Sequence, residues 1–388
     1  MGEEPALDVS LVRGDLLLRL QRAVGLVPRD GLGVGRRAIA LALLTWLPLA
    51  LWALWARRAL PGEAGEPLLQ HFGIHVRCLV AIPLFVVAEG MAHAISTRLL
   101  PYFLRSGLVT ERERPRFEEI LRRSARLRDS TLPWVVVLVA IAAWQIAGPD
   151  PHESHELAWA REEGSGLGFG GFWFVYVTRP VFLALLAAWL WRLILVGVLS
   201  LRISRLDLEL VPTHADGAGG LGFLENFPSV FSPVIFGLSA VLASRWAHDV
   251  LYHGVHVDTL RLPMIVFGAA ALVLFLLPFL PWVRLLAGAK RRALLEYGAL
   301  VGRHGRLVRR RWIEGEPLPD EALLDAPEIG PVADTLALYE AVRKMRVVPI
   351  GRRSLAAIVL PAALPMLPVL AIEIPVREML LKILRTLA

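Results

Sequence analysis

The chain has 388 residues, 55% of them hydrophobic and 20% charged, with a formal net charge of +7 from 42 basic and 35 acidic side chains. Apolar runs this long and evenly spaced exclude a pair of soluble domains and predict one all-α bundle of membrane-spanning helices. Cys78 is the single cysteine, which excludes an intrachain disulfide and any cysteine-based zinc site.

Residues 1–36 lack the apolar core of a cleavable signal, so the first span is expected to direct insertion itself. Within them, SLVRGDLLLRLQRAVGLVP over residues 10–28 places Leu11, Leu16, Leu20 and Val24 near one helical face. Two placements suit such a segment: an amphipathic helix lying on the cytoplasmic leaflet, or a helix packed under the bundle.

Seven apolar segments follow, at 38–56, 78–97, 132–147, 172–199, 227–246, 262–283 and 355–372. As helices rising about 1.5 Å per residue, most can cross roughly 30 Å of hydrocarbon. Of the 42 basic residues, 32 fall in the N-terminal segment and the even-numbered loops, 9 fall on the opposite side, and Arg179 lies within a span. Basic flanks resist translocation, so the N-terminus is placed in the cytoplasm and the C-terminus outside. The pI near 10.1 then reflects orientation and contact with anionic lipid, and no nucleic acid partner is expected.

Between the second and third spans, Thr110 and Glu113 have capping-box spacing and precede Phe117, Ile120, Leu121 and Leu127 at helical intervals. This predicts a cytoplasmic helix. Beyond the sixth span the helical pattern continues through Lys290, Leu294, Tyr297, Leu300 and Leu307 as one rod, with Gly302 and Gly305 as weak points. A Pro-rich acidic loop and an amphipathic helix at 333–346 complete a small cytoplasmic subdomain. The last span carries Pro361, Pro365 and Pro368, each of which frees a carbonyl that neighbouring protein or water must satisfy. A kinked, re-entrant or discontinuous helix is expected there. The organisation is therefore 1–36 as a cytoplasmic or interfacial segment, 37–288 as a six-span bundle, 289–352 as the cytoplasmic subdomain, and 353–388 as a Pro-rich seventh span or re-entrant segment with an amphipathic C-terminal helix.

RRAIALALLTWLPL in the first span, PTHADGAGGLGFL before the fifth and KMRVVPIGRR before the last resemble recurring features of uncharacterised multi-pass inner-membrane proteins of bacteria. The resemblance covers most of the chain. It implies a bacterial inner-membrane location and carries no activity.

Several residue groups could carry chemistry. Gly217 to Gly222 satisfies GxGxxG, but a membrane span follows where a dinucleotide fold needs a crossover helix. A tight cytoplasmic turn through Gly219 and Gly220, with His214 and Asp216 as local hydrogen-bonding or capping groups, or an ion or anion site built from backbone amides, remain as readings. Seven of the ten histidines lie outside or at the outer interface. Among these, His152, His155, His248, His253 and His256, with Asp258, are candidate ligands for a divalent metal such as zinc, candidate proton sensors, or ordinary interfacial side chains. Inside the spans, Glu89, His93, Arg179 and Glu373 are the polar candidates, and depth favours pairing of Arg179 with Glu373. Gly237-Leu-Ser239 mimics the nucleophile segment of rhomboid-like proteases, but no histidine on the last two spans could serve as its base.

The function expected from these features is an oligomeric, lipid-embedded pathway for an ion or small solute. The alternatives are a sensor or scaffold that binds a cytoplasmic partner, or a membrane enzyme.

Overall fold

The computed structural model describes residues 10–28, 31–61, 66–147, 155–162, 166–316 and 330–372. They form an all-helical bundle with one two-residue antiparallel strand pair, Arg161–Glu162 with Gly166–Leu167. The helices are α1 (Leu16–Ala23), α2 (Val34–Trp55), α3 (Phe72–Arg105), α4 (Arg114–Asp129), α5 (Leu132–Ala147), α6 (Phe169–Ile203), α7 (Gly222–His253), α8 (Val257–Ile313), α9 (Gly330–Lys344) and α10 (Arg352–Ile372). Among the described residues, six helices are long and apolar enough to cross a membrane: α2, α3, α6, α7, α8 and α10. Their outward faces are apolar, with Leu43, Leu51 and Leu54 on α2 and Leu262, Ile265 and Val266 on α8 exposed. Water would penalise such a surface, whereas lipid does not.

The two ends of the bundle are marked by loop contacts. At the end that carries the basic loops, Val109 bridges Leu208 and the Glu209 amide donates to the Leu108 carbonyl at 2.9 Å. At the other end, here the histidine end, Glu156 meets Arg77 and Arg179 in the N-terminal parts of α3 and α6. Trp159 is fully buried there, edge-on to Trp52 at 5.7 Å. Helix α5 has 16 residues, below the length of the other six, yet it leads from α4 at the basic end toward Glu156 at the histidine end.

The N-terminal segment packs against the bundle. Leu11, Val12 and Leu18 are buried, while Leu20 and Val24 of the expected apolar face are exposed. The helix is rotated from its hydrophobic pattern because Asp15 and Gln21 turn inward to charged partners. The Asp15 carboxylate also caps α1, accepting from the Leu17 amide at 3.4 Å. Helix α4 begins at Arg114 with no side-chain cap from Thr110 or Glu113; Glu113 pairs instead with Arg116 at 3.0 Å. The expected capping box therefore does not form, although Phe117 and Leu121 are buried.

Helix α8 runs continuously through Gly302 and Gly305, with one 3₁₀ turn at Leu277–Phe279. Helix α9 lies antiparallel beside it: His304 stands 3.4 Å from Thr335, and a Cβ on Gly298 would meet Tyr339.

Prolines set where the spans exchange polar contacts. Pro48 has no amide for the Leu44 carbonyl, which accepts the Trp173 indole N–H at 3.1 Å. Pro361 likewise releases the Ala357 carbonyl, and the Ser232 hydroxyl donates to it at 2.6 Å. The 3₁₀ turn Leu364–Met366 breaks the ladder near Ala362, whose carbonyl accepts from Ser239 at 2.6 Å. α10 is thus a broken helix satisfied by α7. Ser232→Ala and Ser239→Ala are each expected to cost about 1 kcal/mol by stranding a buried carbonyl. Thermal unfolding in detergent should show a lower midpoint for each variant.

Candidate functional site

Two polar centres occupy opposite ends of the bundle. At the basic end, four charged side chains from α1, α2, α3 and α6 meet with exposures of 2% or less: Asp15, Arg37, Glu89 and Arg192. Arg192 Nη2 donates to Asp15 Oδ2 at 2.7 Å and to Glu89 Oε1 at 2.8 Å. Arg37 holds the other Glu89 oxygen and donates through Nε to Gln21. Two guanidiniums thus face two carboxylates and the formal charges cancel, the condition under which a low-dielectric interior tolerates them. Trp189 lies 5.0 Å below the Arg192 guanidinium. His93 stands 2.8 Å from the Ser10 hydroxyl, and Ser96 accepts from the Leu11 amide at 3.4 Å. Glu89 and His93 are therefore polar groups within the spans, and both hold the N-terminal segment. Arg37 and Arg192, read from sequence as cytoplasmic flanks, are fully buried; positional counting of arginines cannot see a partner that lies far away in the chain.

At the histidine end, α3 and α6 each contain a π turn, Arg77–Ala81 and Phe174–Thr178, close to Arg77 and Arg179. Such turns often mark functional positions in helices. Both arginines reach Glu156, Arg77 at 2.8 Å and Arg179 at 3.4 Å, and both lie over the Phe174 ring. Burial would raise the Glu156 carboxyl, but the two guanidiniums outweigh it and hold the group below its ordinary range. Glu373, the expected partner of Arg179, lies outside the described residues.

A cavity of about 420 Å³ opens between α3 and α7, and its polar lining comprises the charged Arg77, Glu156, Arg245 and Asp249 and the imidazoles of His71 and His248. His75 is turned away to other tasks: Trp46 donates to its Nδ1 at 2.9 Å and its Nε2 faces the Leu68 carbonyl at 3.0 Å. Of the expected metal candidates, His248 and His253 come together, with their Nε2 atoms 3.3 Å apart. His256 and Asp258 do not join them. Asp258 pairs with Arg261 at 2.7 Å on the first turn of α8, and His256 caps that helix through its backbone. His152 lies outside the described residues, and His155 opens the short helical turn that carries Glu156. His71, one of the seven outer histidines, adjoins His248 in space; the groups missed from sequence are Glu66, beside both, and Glu156, one residue beyond His155.

The Gly-rich loop at the basic end is a built turn. Asp216 accepts from the amides of Ala218 at 2.7 Å, Gly220 at 3.2 Å and Gly222 at 2.7 Å, and His214 stands 3.0 Å away. Gly217, Gly219 and Gly220 adopt positive φ, as this wrapping requires. Although burial alone would raise the Asp216 carboxyl, these amides and His214 hold it below its ordinary range. The amides that could bind an external anion are thus taken by the chain's own carboxylate. Arg346, from the KMRVVPIGRR segment, donates its amide to the Gly217 carbonyl at 2.7 Å and its guanidinium to the Asp216 carbonyl at 3.0 Å. Two of the sequence motifs therefore dock on each other. Ser239 is fully buried and donates to the Ala362 carbonyl at 2.6 Å, a helix-packing contact.

The fold is an all-helical bundle in which, among the described residues, six helices are long and apolar enough to cross a membrane, the class expected of a polytopic membrane protein. The chain matches no protein-family model, no curated protein and no solved structure.

Two outcomes follow from these centres. Arg192→Gln or Glu89→Gln alone should destabilise the protein by roughly 3–5 kcal/mol, since each leaves buried charge uncompensated, and the double variant should lose less than the sum. A thermal unfolding cycle measures this coupling, and strict additivity would show that the pair does not interact. A depressed Glu156 pKa means that its contribution is complete above the ordinary glutamate value of about 4.3 and is lost as pH falls through the lower folded value. The gap in unfolding midpoint between wild type and Glu156→Gln should therefore hold constant from neutrality to about pH 4.3 and close only in stronger acid.

Proposed function

We propose that the protein forms a pathway for an ion or small solute across a bacterial inner membrane, entered from outside through the charged cavity at the histidine end. The carrying observation is that cavity, in which Arg77, Glu156, Arg245 and Asp249 face a space of about 420 Å³ between two apolar helices. Ionisable groups gathered between apolar helices ordinarily face one another or a water-filled route. Helix α3, which supplies Arg77 to the cavity, carries Glu89 of the second polar centre twelve positions on, about 18 Å deeper at 1.5 Å per residue. Between these levels the route is closed. Gly237 sits so tightly against α3 that a Cβ there would lie 3.1 Å from both Ala81 and Phe85, and Trp189 donates to the Phe85 carbonyl at 3.0 Å. Passage thus requires α3 and α7 to part, a movement that Gly237 eases by presenting no side chain.

In this reading the basic end and the N-terminus are cytoplasmic, in keeping with the arginine distribution. Helix α5 counts as a seventh crossing, because it joins contacts at opposite ends of the bundle and its 16 residues reach about 24 Å. Single cysteines at Ser106 and Thr259, in a Cys78→Ala background, should react with an impermeant thiol reagent from inside and outside respectively; the reverse pattern overturns the orientation. In proteoliposomes the protein should pass ions or small solutes, and a charged thiol reagent on Leu242→Cys in the cavity wall should block that flux. Fluxes no higher than those of empty vesicles, across gradients of sodium, potassium, chloride and divalent cations, would set the pathway aside.

A further inference from the structure

The histidine end holds a second arrangement that does not depend on the pathway. Glu66, at the start of the turn leading to α3, lies beside the end of α7, where His248 and His253 project. One ligand atom from each of these three residues lies within 4.8 Å of the other two. His248 Nε2 stands 3.3 Å from His253 Nε2 and 3.9 Å from Glu66 Oε2. Ligand bonds of about 2.0–2.1 Å in a tetrahedron place neighbouring donor atoms about 3.3 Å apart. One edge already has that length, and the other needs only a small shift of a half-buried carboxylate.

The second layer fits the same chemistry. His248 Nδ1 stands 2.9 Å from the Gln70 carbonyl, an acceptor that requires the proton on Nδ1 and leaves Nε2 as a lone pair facing Glu66 and His253. An imidazole that donates through one nitrogen to a backbone carbonyl and presents the other to its neighbours is the ordinary support for a metal-bound histidine. His71 stacks on His248 at 5.1 Å, and its Nε2 is 3.5 Å from Glu66 Oε2, so one buried ring adjoins both ligands. Two imidazoles and a carboxylate form a donor set suited to borderline divalent ions and too rich in nitrogen for calcium or magnesium.

We propose that Glu66, His248 and His253 bind one divalent transition-metal ion of the zinc class at the histidine end, with His71 orienting the carboxylate and a fourth coordination position left for water or a small anion. His248 also lines the cavity, so the ion would bring positive charge to its mouth.

The test uses the full-length protein without a polyhistidine tag, purified in detergent and stripped with chelator. Zinc is titrated in competition with a chromophoric chelator, and cobalt(II) serves as a spectroscopic probe of coordination number. Wild type should bind one equivalent, show visible cobalt bands of four-coordinate intensity, and gain thermal stability on addition of zinc. His253→Ala and Glu66→Gln should each weaken binding at least about tenfold and abolish the stabilisation. His256→Ala and Asp258→Asn should leave binding as in wild type. His253 is exposed and Glu66 half-buried, so these two variants keep the test decisive even where His248→Ala disturbs folding. The proposal is overturned if wild type binds no stoichiometric zinc, if affinity survives in folded His253→Ala and Glu66→Gln, or if His256→Ala and Asp258→Asn abolish binding instead. In those cases the 3.3 Å contact is a hydrogen bond between two imidazoles.

Discussion

Placing a charge where neither water nor lipid headgroups can reach it is the constraint that organises this molecule. Asp15, Arg37, Glu89 and Arg192 come from four separate stretches of chain, and each is tolerable only because the others are present. Once Glu89 lies inside the bundle, α2 and α6 must supply their arginines at its level. With two arginines and one glutamate the centre would still carry excess positive charge, and Asp15 removes it. The N-terminal segment is therefore drawn against the bundle rather than left on a lipid surface, and its rotation follows Asp15 and Gln21 at the expense of Leu20 and Val24. Polar pairing here overrides the apolar face of a short helix.

A related constraint acts on the backbone. Pro48 and Pro361 each leave a carbonyl that lipid cannot solvate, and side chains from neighbouring helices meet it: Trp173 for Leu44 and Ser232 for Ala357, with Ser239 for the adjacent break at Ala362. These bonds lock specific helix pairs in specific register, which undirected apolar packing would not do. At the basic end, the Asp216 turn and Arg346 tie the approach to α7 to the approach to α10. The same two helices are thus joined by serines within the bundle and by a loop clasp beyond it.

The helical class of the fold was legible because apolar length is a local property of sequence, and Pro361 signalled a carbonyl in need of a donor for the same reason. Rotation and partnership were not legible. Asp15 reads as an ordinary polar residue of an amphipathic helix until Arg192 is placed beside it, and Arg37 and Arg192 read as membrane flanks by position alone. His248 and His253 stood out as imidazoles close in sequence. Glu66 did not, since nothing in its own surroundings announces that α7 ends next to it. His256 and Asp258 shared the local signal, but the turn into α8 carries them away. Ser239 shows the converse case, where a motif resembling a nucleophile segment follows from the need of a broken helix for a hydroxyl donor.

The contact between Asp15 and Arg192 also has a bearing on the order in which the molecule is assembled. Synthesis proceeds from the N-terminus, so Asp15 leaves the ribosome 177 residues before the arginine that neutralises it. Until α6 has been inserted, no complete set of partners exists, and an aspartate pressed between α2 and α3 alone would face Glu89 without sufficient compensation. The segment around Asp15 consequently lacks its full set of partners until α6 is in place. The polar centre at the basic end is therefore completed by α6, after the stretches that carry Asp15, Arg37 and Glu89 have all been made.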